Sequence, residues 1–170
     1  MKAKELTLFS LLLAASIIAQ LLETIYLPTV VIPGVKLGLA NAVSLVLILY
    51  FPAREVVLNV ILRTVTVSLL TGTFMSTIFI YSLLAGLSST FVMLAVYHLG
   101  KKWFSFVGVS VCGALTHNLT QLTLALSLLG HPGLLIFLPW LLLAGLVAGL
   151  ANGLLVNLLA PRLTEIWPAG

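Results

Sequence analysis

Arg63 stands inside the apolar stretch 56–70, with no acidic residue in that stretch to neutralise it. A charge at the centre of a membrane span costs roughly 2.5–3.5 kcal/mol on insertion scales, so it turns toward a protein interior or a water-filled cavity and marks a site. Thr116, His117, Asn118, Thr120 and Gln121 form the densest polar cluster within any apolar run. His117 and Gln121 are four apart and Asn118 and Gln121 three apart, spacings that bring side chains to one sector of a helix. Lys36 and Asn41, in Pro33-Gly34-Val35-Lys36-Leu37-Gly38-Leu39-Ala40-Asn41, are expected at the mouth of the same site. Lys36, Arg63 and a protonated His117, with amides beside them, suit a ligand carboxylate or phosphate.

These residues can hold an anion but lack the means to transform one. The chain contains no aspartate, and its acids are Glu5, Glu23, Glu55 and Glu165. Paired carboxylates around Mg²⁺, which diphosphate chemistry and ATP hydrolysis require, are missing. A Gly-rich phosphate loop ending in Lys-Ser/Thr is missing too. No catalytic residue, metal site or cofactor is therefore expected. His98 and His131 read as a helix end and an outer turn, on separate elements from His117. Asn59, Asn152 and Asn157 read as single amides bonding helix to helix. Cys112 reads as a small packing residue.

The elements that must position the site are membrane helices. A chain of 170 residues that is 61% hydrophobic and 7% charged, with mean hydropathy +1.25, falls far from the composition of soluble domains. Pro, Gly and charged punctuation divides it into six predicted spans, 6–22, 35–51, 55–70, 77–99, 104–129 and 134–159, forming one transmembrane domain. Long continuous apolar runs exclude the alternating strands of a membrane β-barrel. Lys2 and Lys4 precede the first run, but no small-residue cleavage site follows it, so no cleavable signal is expected. Lys2, Lys4, Arg54, Lys101, Lys102 and Arg162 fall on one side and Lys36 alone on the other, which predicts both termini in the cytoplasm. The net charge of +4 forms no contiguous basic face, and a nucleic-acid partner is not expected. The apolar connection 23–35 is expected to fold over the outer mouth as a lid. The site is then a cavity opening outward between the second, third and fifth spans.

Ala15 and Ala19, with Ser16 beside them, make a small-xxx-small face on the first span, and Gly145, Gly149 and Gly153 repeat the spacing on the last. One such face can pack the bundle; a second is available to a partner.

The segment 33–41, followed by an apolar run and Arg63-Thr64, resembles the membrane family labelled heptaprenyl diphosphate synthase component I, also called the Gx transporter family. The likeness extends over nearly the whole chain in length and layout. That family is similar to the substrate-binding S components of energy-coupling factor transporters: six helices, cytoplasmic termini, an outer lid and an Ala-xxx-Ala face on the first helix, matched here by Ala15 and Ala19. The resemblance implies a multi-pass plasma-membrane protein that binds a small molecule while a scaffold subunit and cytoplasmic ATPases supply energy. The expected cargo is a small anionic vitamin or an isoprenoid- or quinone-related precursor. The alternative is a membrane subunit, catalytic or not, of prenyl diphosphate or quinone biosynthesis.

Overall fold

The computed structural model describes residues 3–26, 38–100 and 103–166. Those residues form six α-helices: α1 (Ala3–Tyr26), α2 (Leu39–Tyr50), α3 (Ala53–Leu70), α4 (Thr77–Leu99), α5 (Phe106–Leu129) and α6 (Leu138–Ile166), with a 3-10 turn at Pro132–Phe137 before α6. This is an all-α membrane protein. α1, α4 and the segment Pro132–Leu163 are long and apolar enough to cross a bilayer. α3 carries Arg54, Glu55 and Arg63, and α5 carries the polar cluster at 116–121.

Helix ends follow local chemistry. Pro52, extended at φ −65°, starts α3, since a proline at a helix start gives up only an amide that would go unbonded. The Ser76 and Ser105 hydroxyls accept from the Phe79 and Gly108 amides, each at 3.4 Å. Ser105 thus sets the start of α5 at Phe106 rather than at the expected 104. Gly130, at φ 61°, ends α5 in the left-handed conformation that glycine adopts without penalty. His131 Nδ1 then accepts from Gly133 N at 3.2 Å.

Larger differences from expectation fall on α1, α2 and α6. α1 runs through Tyr26, so residues 23–26 belong to a helix and not to a lid, and 27–35 of that expected lid lie outside the described residues. The sixth span begins as the 3-10 turn, and its α-helix continues past 159, through Pro161, to Ile166. The largest change concerns α2. It starts only at Leu39, because Gly38 takes φ 68°. Its 12 residues extend about 18 Å, well short of a hydrocarbon core of about 30 Å.

This short helix is the centre of the bundle. α1, α3, α4, α5 and α6 pack in that order around it, each against the next, and all five touch α2. Among the described residues α1 and α6 do not touch. The apolar core occupies one end. Leu45, Leu47, Val56, Met93, Val109 and Val156 are buried together there, and the Phe9 ring meets Phe51 edge-on at 5.7 Å. Gly149 and Gly153 let α5 approach α6: a Cβ on Gly149 would stand 2.6 Å from Val111 Cα, and one on Gly153 2.5 Å from Val107 Cα. Outside, Leu11, Ile18, Phe91, Leu143, Leu154 and Leu158 are exposed, as lipid-facing side chains are.

Candidate functional site

Depth along each helix explains how the site assembles. Arg63 lies ten residues into α3 from Ala53, and Ala40 ten residues back along α2 from Tyr50, so both stand about 15 Å from the Phe51–Pro52 turn. His117, eleven residues into α5, comes to about the same level. Because α2 is cut short, its first turn is presented to Arg63 at this depth. The guanidinium donates through Nη1 to the Ala40 carbonyl and through Nη2 to Asn41 Oδ1 at 3.2 Å. It is 2% exposed. A Cβ at Gly86 would lie 3.1 Å from Val60 and 3.7 Å from Arg63 Nη2, so glycine there leaves the guanidinium its place against α4.

The N-terminus of α2 is held from two further sides. Glu23 Oε1 accepts from Leu39 N at 2.6 Å, so a carboxylate of α1 caps a helix whose own preceding residue is glycine. Glu23 is also the acid that acts electrostatically on Arg63. Asn152 of α6 donates through Nδ2 to the Gly38 carbonyl at 3.0 Å, 114 residues away in sequence.

Around this junction lies a cavity lined by Gln20, Glu23, Asn41, Arg63, Ser82 and His117, floored by Gly38 and Ala40. It has about 20 Å³ of room for the centres of water molecules. Two donors of its lining residues, Arg63 Nε and Asn41 Nδ2, are buried with no hydrogen-bond partner among the described residues. A buried donor left so costs about 1–3 kcal/mol, more when charged. A second cavity, lined by Thr24, Thr64, Ser68, Thr71 and Thr73 with Val67, Ile78 and Phe79, shares Gln20 and Ser82 with the first.

The structure thus gathers Asn41, Arg63 and His117 around one cavity, walled by α1 and α4 as well as by α2, α3 and α5. Asn118 is turned away from it. Its Nδ2 donates to the Leu141 carbonyl on α6 at 2.8 Å, because neighbours in a helix point about 100° apart and His117 takes the inward direction. Gln121 is buried one turn beyond His117, and its Oε1 has no partner among the described residues. Lys36 lies outside the described residues. Gln20 and Glu23 were not among the expected site residues, although their spacing of three, on a run otherwise apolar, was a signal for one polar face.

Ala15 is exposed on α1, and Ala19 is half-buried. Gly145, Gly149 and Gly153 are instead buried against α5. His98 and Asn157 are exposed.

Neither a curated protein nor a solved structure matches the chain. The family model described as heptaprenyl diphosphate synthase component I matches residues 12–159, a stretch that holds every residue lining the two cavities. The chain therefore belongs to the heptaprenyl diphosphate synthase component I family.

Proposed function

We propose that this protein is the substrate-binding membrane component of an importer of the energy-coupling factor type, carrying a small molecule whose acceptor group, a carboxylate or phosphate, is held by Arg63 and Asn41. The observation that carries the reading is the pair of buried donors, Arg63 Nε and Asn41 Nδ2, which have no partner among the described residues and belong to two residues that line one cavity. A guanidinium is suited to this because its planar fork keeps donors free after two have been anchored to α2. Glu23 shares the cavity and balances the charge of Arg63, so the cargo is recognised by its acceptor geometry as much as by net charge. In this reading both termini are cytoplasmic and the cavities face outward. The apolar core between them and the cytoplasm closes the far side. ATP is hydrolysed by separate subunits, and a scaffold subunit docks on the exposed α1 face at Ala15 and Ala19, because the other small-residue stripe is consumed by α5.

The family description favours a second reading, a non-catalytic membrane subunit of a prenyl diphosphate synthase. Native mass spectrometry of the gently purified chain separates the two. The carrier reading expects a retained small molecule, with no conversion of allylic diphosphates by the chain. Loss of all small-molecule adducts, together with retention of a soluble synthase subunit, would establish the second reading instead.

A further inference from the structure

Among the described residues, Arg63 and Glu23 are the only arginine, lysine or glutamate buried in the protein, at 2% and 4% exposure, and both line the same cavity. As a pair they carry no net charge. The Glu23 carboxylate has a defined seat. Its Oε1 accepts from Leu39 N at 2.6 Å, at a helix start where no side chain of the preceding Gly38 can cap, and its charge acts on Arg63. The positive end of the α2 dipole and the guanidinium beside it both favour an anion in that place.

We infer that Glu23 is a built-in competitor of the cargo: its carboxylate sits where the acid group of the cargo binds, between the Leu39 amide and Arg63, and cargo binding expels it and breaks the hydrogen bond that ties α1 to α2. This rests on the carrier reading and deepens it. Two observations call for an exchange rather than an addition. The cavity has room for about one water molecule, too little for a carboxylate or phosphate group. An anion added to the intact pair would also leave a net negative charge inside the bundle, which burial disfavours strongly. Of the lining residues, Arg63, Ala40 and Asn41 are joined to one another by hydrogen bonds, and Gly38 is held by Asn152. Glu23 comes instead from α1, which among the described residues packs only on α2 and α3 and whose last residues, Ile25 and Tyr26, are exposed. Withdrawal of Glu23 is thus the change that opens the seat with the least repacking. While Glu23 fills the seat, the apparent affinity for cargo is reduced by the fraction of molecules in which the seat is open.

The seat is tested by thermal unfolding of the full chain in lipid nanodiscs, with acetate as the probe and chloride at equal ionic strength as the reference. In the wild type the seat is filled from within, and the unfolding temperature is expected to be the same in both salts. Glu23→Ala empties the seat. Its unfolding temperature is expected to fall in chloride and to recover at least half of that loss in acetate, as binding to the folded state alone requires. Adding Arg63→Gln to Glu23→Ala is expected to abolish the recovery. The inference is overturned if Glu23→Ala unfolds at one temperature in both salts, if acetate stabilises the wild type as much, if the recovery survives the loss of Arg63, or if Glu23→Ala yields folded protein in neither salt. Competition is read from Glu23→Gln, which keeps an acceptor for Leu39 N and loses the charge. Native mass spectrometry is expected to show about threefold or more small molecule retained by this variant than by the wild type. Equal or lower retention would overturn the competition and make Glu23 a structural cap or a cargo contact. No small molecule retained by either protein, with acetate still rescuing Glu23→Ala, would overturn the carrier reading and the competition with it while leaving the carboxylate seat in place.

Discussion

Arg63 is anchored and yet incomplete. Two of its nitrogens are tied to the first turn of α2, while Nε has no partner among the described residues and Glu23 supplies the nearby opposite charge. Asn59, one turn back along α3, presents a contrasting case. It is fully buried, lines neither cavity, and neither amide atom has a hydrogen-bond partner among the described residues. Replacing such a group by an apolar one of similar shape removes a desolvation penalty of about 1–3 kcal/mol. Asn59→Leu is accordingly expected to raise the unfolding temperature of the purified protein without changing cargo retention. A lower unfolding temperature would mean that the amide bonds to something that stabilises it. At this scale the burial of Arg63 was legible in the sequence, because a cation in an apolar run turns toward the protein interior. Glu23 was expected in the lid, and the extra helical turn to Tyr26 places it instead on α1, lining the cavity with Arg63. Asn118 was grouped with His117 by spacing to Gln121, but the 100° between adjacent residues lets only one of the two face the cavity.

Among the elements, α2 does most to create the site. Gly38, left-handed, precedes the start of α2, Glu23 and Asn152 fix that end, and Arg63 donates to the buried Ala40 carbonyl of the first turn. Periodicity alone could not show this, since the run 35–51 is mostly apolar on both sides of Gly38 and the helix start depends on a positive φ at that single glycine. Long apolar helices such as α4 were legible to the residue, because Ser76 and Gly100 punctuate both ends. The two small-residue stripes make opposite predictions. Gly149→Ala puts a Cβ 2.6 Å from the Val111 backbone, and the resulting separation of α5 from α6 is expected to cost about 1–3 kcal/mol in unfolding experiments. Ala15→Trp projects from an exposed position and is expected to change stability by less than about 0.5 kcal/mol. It is expected to abolish cargo uptake in cells while cargo retention by the isolated protein persists. If retention and uptake fall together, Ala15 packs within the bundle and the docking face lies elsewhere.

The whole molecule is divided along its length into a dry end and a wet end. Leu45, Val56, Met93 and Val109 fill the first, and two small cavities walled by α1 to α5 lie in the second. That division suits a protein which admits a polar molecule from one side and holds it against a closed floor. The total number of helices was legible from apolar run lengths and punctuation. The participation of α1 and α4 in the cavities was not, because it depends on how five helices close around a sixth. The claim on which the account turns is that Arg63 is kept for cargo and not for folding. The most direct measurement is native mass spectrometry of wild-type protein and Arg63→Gln, purified side by side with folding yield and unfolding temperature recorded. The account predicts about 30-fold or greater loss of the retained small molecule in Arg63→Gln, as expected when one side of a buried charged contact is truncated, from protein that still folds. Reduced folding yield with undiminished retention in the surviving protein would contradict it and make Arg63 a structural clamp on α2.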